Sequence, residues 1–201
     1  MASILSVQVG AMVARPHRGV KKCMRRFRAS FSLASAPNTG LDVNCVYPML
    51  MDMRGTMGKR EELIEKIMAQ YEAGNEPAIM GVDEFFDGNA DEYSIAPNTV
   101  GAGHPGLRYF WDRLKAIGDQ AGVEHVFIGI LECPDADDED DADLWPSAEN
   151  VYIYTSASKE DVAKWAAGLN IDSVFEGWPY GCPAGAPKTR DGFKVYTLCW
   201  D

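Results

Sequence analysis

Between Val82 and Pro105 the chain gathers several residue types that could do chemistry. Asp83, Glu84, Asp87, Asp91 and Glu92 follow one another closely, and carboxylates held together can bind a hard cation or exchange protons. His104 comes next, a residue type that can act as an acid or base. Around it, Gly101-Ala-Gly103-His-Pro-Gly106 spells G-x-G-x-x-G before a helical pattern, with Glu132 at the end of the following strand. In a dinucleotide fold such glycines let the backbone approach a pyrophosphate at a helix N-terminus, and the acid holds a ribose. The context does not suit that chemistry. The preceding SIAPNTV has a proline and no buried apolar run, so the same letters read as a loop entering a helix near Pro105. A solvated rim is the plainer reading of the acids, and a loop or capping role that of His104.

Other motifs fail on spacing. The acidic run Asp135–Asp143 would need glycine and glutamate at the sixth and twelfth positions of an EF-hand loop, but holds Asp140 and Pro146 there. Cys182, in Gly-Cys-Pro, has no histidine near it in sequence to act as base. No serine stands in G-x-S-x-G, and His104 and His125 do not share a metal-binding spacing. The sequence therefore predicts no catalytic residue, no metal site and no cofactor. The residues expected to meet a ligand or partner are Asp83, Glu84, Asp87 and His104, with Trp145, Trp178 and Tyr180 as exposed aromatics in Pro/Gly-rich loops.

The elements that must position these residues follow from periodicity. Gly58–Ala73 is an amphipathic helix with Leu63, Ile64, Ile67, Met68 and Tyr71 on its apolar face and Gly74 as its stop. A strand of about six residues is expected around Ile79–Val82, then a loop of about twenty residues, long enough to be functional or disordered or to hold a further strand. Leu107, Phe110, Trp111, Leu114 and Ile117 form the most regular helical stripe. EHVFIGILE, apolar on both faces, reads as an interior strand. The stretch Glu149–Asp172 is a packing unit: a strand at Val151–Thr155, then a helix capped by Ser158, with Val162, Trp165, Ala166 and Leu169 as its buried stripe. A Gly/Pro-rich segment precedes the final strand, GFKVYTLCWD. The order predicts an α+β domain, an antiparallel sheet with helices on one face. It accommodates a ferredoxin-like β-α-β-β-α-β arrangement with an extra N-terminal helix.

Charge divides the chain unequally. Residues 1–40 hold seven of the nineteen Lys/Arg and no acid; the remaining twelve bases face all thirty acids, a net −18. Residues 1–56 read as a basic extension, with a transit peptide, a basic arm and a segment outside the native domain all open; residues 57–201 read as one domain. Its acidity argues against a nucleic-acid partner and for a protein with a basic surface. No run of eighteen apolar residues exists to span a membrane. Five widely spaced cysteines, without C-x-x-C, indicate free thiols and a reducing, cytoplasmic setting.

Trp145-Pro146, the strand Val151–Ser156, the helix Glu160–Leu169, the Gly177-Trp178-Pro179 turn and the closing Cys199-Trp200-Asp201 resemble a group of small acidic bacterial proteins of unassigned function. The likeness covers about the last 120 residues of the chain and carries no catalytic motif. In size and acidity such proteins are similar to the immunity proteins that neutralise toxins, which implies a partner and no reaction. Two functions compete: a non-catalytic acidic protein-binding domain, or a small enzyme or ligand binder with its site between the 83–104 and 178–187 loops.

Overall fold

The computed structural model describes residues 58–99, 103–135, 139–141 and 143–200. The basic extension, most of the acids at 135–138 and Gly101 of the glycine motif lie outside them. Along the described chain run α1 (Lys59–Glu72), β1 (Ile79–Gly81), α2 (Val82–Phe86), α3 (Leu107–Gly118), β2 (Val123–Glu132), β3 (Ser147–Thr155), α4 (Lys159–Trp165), β4 (Ser173–Glu176) and β5 (Lys194–Cys199). The strands make one antiparallel sheet in the order β1-β2-β3-β5-β4.

The α+β class and the single helical face are as expected. Leu63 and Ile67 of α1, Phe85 and Phe86 of α2, Phe110 and Leu114 of α3 and Val162 of α4 all pack into one core against Ile128, Val151, Ile153 and Leu198 of the sheet. The strand order corrects the ferredoxin-like expectation. A split β-α-β leaves room for a strand between two parallel ones, whereas β1 and β2 are hydrogen-bonded directly and run antiparallel. A fifth strand, β4, also forms within the stretch before the final strand.

Local chemistry explains where the elements depart from expectation. The first strand stops after three residues because the Glu84 carboxylate accepts the Gly81 N–H at 3.0 Å and starts α2 there. Ser158 caps α4 as its sequence position requires, accepting the Asp161 N–H at 3.2 Å. That helix ends at Trp165, so Trp165 is only partly buried while Val162, Ala166 and Leu169 are in the core. The long loop after α2 is stitched to β3 by Ala96 N–H to Ala148 O and Ala148 N–H to Ser94 O, both at 2.8 Å. Ser94, Ile95 and Ala96 are buried there, a bridge in place of the further strand the loop's length allows.

Candidate functional site

Asp83, Glu84 and Asp87 all lie on or just beyond α2, and each faces a cation. Lys66 of α1 meets Glu84 at 2.6 Å, Lys59 of α1 meets Asp87 at 3.3 Å, and Lys115 of α3 meets Asp83 at 3.1 Å. The Trp111 indole N–H also donates to Asp83 at 2.8 Å. That hydrogen bond, then Lys115, holds the Asp83 carboxyl below its ordinary range; the Lys66 hydrogen bond does the same for Glu84. The pairs are solvent-exposed, so each adds little energy alone. Together they bind α2 between α1 and α3, and the acids are occupied within the fold. Asp83 and Glu84 line both of two open clefts, of about 380 and 200 Å³.

His104 has both ring nitrogens committed. Nδ1 accepts the Gly106 N–H at 3.1 Å, so Nε2 carries the proton and donates to Ile95 O at 2.9 Å. The ring packs on Phe110 with centroids 5.1 Å apart. Glu92 completes this entrance by accepting the Leu107 N–H at 2.8 Å. A carboxylate thus stands at the α3 N-terminus where a pyrophosphate would have to bind, which removes the geometric basis for the nucleotide motif. The hydrogen bonds of His104 to Ile95 and Gly106 organise the loop.

The aromatics separate. Trp145 is 7% exposed, with its indole N–H on Phe85 O at 3.0 Å; it is a core residue, which corrects its placement among exposed loop aromatics. The indole finds a backbone acceptor on α2 and therefore needs no water. Trp178 covers the sheet face opposite the helices, 4.2 Å from the Tyr152 ring and 6.0 Å from Tyr154. This second cluster adds Ile79, Val195, Phe127 and Ala186. The Tyr154 hydroxyl donates to Pro187 O at 3.2 Å, and burial pushes it up to about 12; burial also raises Tyr152. Gly129 lies beneath Tyr152, where an added Cβ would sit 2.6 Å from the ring. Tyr180 stays 58% exposed.

These placements put the 83–104 and 178–187 loops on opposite faces of the sheet, the first with the helices and the second with Tyr152 and Tyr154. Among the described residues, the two loops therefore lie too far apart to share the expected pocket. Sequence reading missed Phe175, exposed on β4, because four residues carry too little alternation to mark a strand. The alternation of Val151–Thr155 did signal a tyrosine face, without revealing what covers it. Among the described residues, no group of three or more His, Cys, Asp or Glu could hold a metal ion, and no helix is long and apolar enough to cross a membrane.

The result is an acidic α+β domain whose candidate carboxylates are engaged by its own lysines and whose second sheet face is aromatic. The chain belongs to the YfbO family, an uncharacterized protein family whose model matches residues 58–198. It is similar to the uncharacterized protein YfbO of Escherichia coli (strain K12), 26% identical over 124 residues that span 61% of this chain and 82% of the relative. No solved structure matches it.

Proposed function

We propose that this chain is a non-catalytic acidic protein-binding domain that engages a basic protein surface, as an inhibitor or immunity-type protein does. The observation that carries this is how the fold uses its cations. Residues 58–201 hold eleven Lys/Arg and twenty-eight acids. Among the described residues, eight of those bases (Lys59, Arg60, Lys66, Arg108, Lys115, Lys164, Arg190 and Lys194) stand in ion pairs with the domain's own carboxylates. The outward field is therefore negative, and it draws in a positive partner. Glu65 and Glu72 on the exposed side of α1 contribute to it. The free, exposed thiol of Cys182 suits action in a reducing cytoplasm.

The test is kinetic. A partner captured by the full chain is identified, and its association is followed at 0.1 and 1 M salt, where the Debye length falls from about 10 to about 3 Å. The association rate should fall about tenfold or more with salt, and severalfold when Glu65 and Glu72 are together changed to Gln. A rate indifferent to both would overturn the reading.

A further inference from the structure

Two clefts flank α2, and their charges are settled differently. The smaller, of about 200 Å³, holds Lys59 and Lys66 among its acids, and the pairs Lys59–Asp87 and Lys66–Glu84 already span it. The larger, of about 380 Å³, opens between the start of α2, the end of α3 and the start of β2. Its size falls within the range of small-ligand clefts, about 300–1,000 Å³. Val82, Leu114, Val123 and Val126 give it apolar walls, and Lys115 is the one Lys or Arg among its described lining residues, against Asp83, Glu84, Asp119 and Glu124. Lys115 is drawn to Asp83 at 3.1 Å and Glu84 to Lys66 at 2.6 Å, which leaves Asp119 and Glu124. Glu124 meets Arg190 only at 4.0 Å, and Asp119 meets no cation among the described residues. Asp119 is also badly placed on its own account. It is the C-cap of α3, where the aligned peptide dipoles already concentrate negative charge. Gly118, next to it in the cleft, adds an acceptor, because its carbonyl receives no N–H among the described residues.

We propose that this cleft takes an arginine side chain of the basic partner. Its charge is met by Asp119 and Glu124, its further N–H groups by the α3 carbonyl end, and its aliphatic stem by the valine walls. The choice of cation follows from the lining. Acceptors spread around an apolar floor suit a planar group with five donors on a greasy stem better than a compact ammonium, whose charge is more strongly hydrated. A metal ion fits less well, since among the described residues no three His, Cys, Asp or Glu side chains are placed to hold one. The loose Glu124–Arg190 contact is a sketch of the same interaction: Arg190 is exposed and approaches from outside, so an incoming guanidinium can replace it at little cost.

This deepens the acidic-binder reading and rests on it, and the experiment separates the two. The full chain is titrated with Nα-acetyl-arginine amide while its backbone amide resonances and the His125 ring, which lies at the cleft, are followed. The controls are Nα-acetyl-citrulline amide, which keeps the shape without the charge, Nα-acetyl-lysine amide and calcium chloride. Shifts should centre on Gly118, Asp119, Glu124 and His125, and the citrulline and lysine amides should bind about tenfold more weakly, as loss of the charged fork requires. Asp119→Asn combined with Glu124→Gln should weaken the arginine amide about tenfold while keeping the spectrum of a folded chain, and should speed dissociation of the captured partner severalfold. Shifts centred elsewhere, equal binding of either amide control, or partner dissociation unchanged in the double variant would overturn the arginine cleft and leave the acidic reading standing. Tighter binding of calcium at the same resonances would make this a metal site and would also overturn the proposal. A partner whose association ignores salt, beside a cleft that still takes the arginine amide, would overturn the acidic-binder reading instead.

Discussion

Trp200 joins the helical layer to the sheet. It is fully buried, its N–H donates to Leu169 O at 2.9 Å, and its ring meets Phe110 edge to face with centroids 5.6 Å apart. Trp200→Ala should cost about 3–5 kcal/mol, through lost transfer energy and the cavity left behind. Trp165→Ala, at a partly buried site, should cost less, about 1–2 kcal/mol in proportion to the apolar area it covers. Urea midpoints of the two variants check the order, and equal losses would mean that the end of α4 is packed more tightly than it stands here. The sequence points the other way for a physical reason. Trp165 falls in an i, i+3, i+4, i+7 stripe, whereas Trp200 follows a short strand and has no period around it to announce burial. Trp145 was misread likewise, since Pro146 beside it suggests a loop and nothing local shows the Phe85 carbonyl that receives its N–H.

Among the elements, α2 is held chiefly by electrostatics on its outer side and by Phe85 and Phe86 beneath. Because Asp83 and Glu84 have folded-state values below their ordinary ones, their contribution is complete above the unfolded carboxylate range, about 4. It is lost as pH falls through the lowered values. The raised value of Lys66, caused first by Glu84, acts at the alkaline end: its contribution is complete below the ordinary lysine range and is lost as pH rises through the raised value. Asp83→Asn combined with Glu84→Gln should therefore flatten the acid side of the stability curve, with urea midpoints at pH 3 and pH 7 closer together than in the parent. An unchanged slope would mean the pairs are too well screened to matter. Long periodic elements were legible: α1 and α3 appear within a residue or two of their expected ends, and Ser158 caps α4. Short ones were not, because β1 is cut by a side-chain cap and β4 has only four residues.

At the scale of the whole molecule, the class could be read from alternating strand and helix patterns, but the strand order could not. β2 and β3 are apolar on both faces, so their patterns do not say which strand lies beside which; the order emerges from pairing far apart in sequence. The same limit applied to the candidate site, where acids and aromatics named for their residue type were assigned to one pocket across a sheet that separates them. The strand order has a further consequence for motion. Although β4 precedes β5 in the chain, β5 is the strand it pairs with, and β5 is held on its other side by β3. β4 can therefore detach without disturbing the β3–β5 ladder. Amide hydrogen exchange should register this as two grades of protection. Val174 and Phe175 should exchange through a local opening whose rate is insensitive to low urea, while Ile153 and Leu198 should exchange only with global unfolding. Equal protection of both sets, with equal denaturant dependence, would mean that the edge and the centre of the sheet open as one cooperative unit.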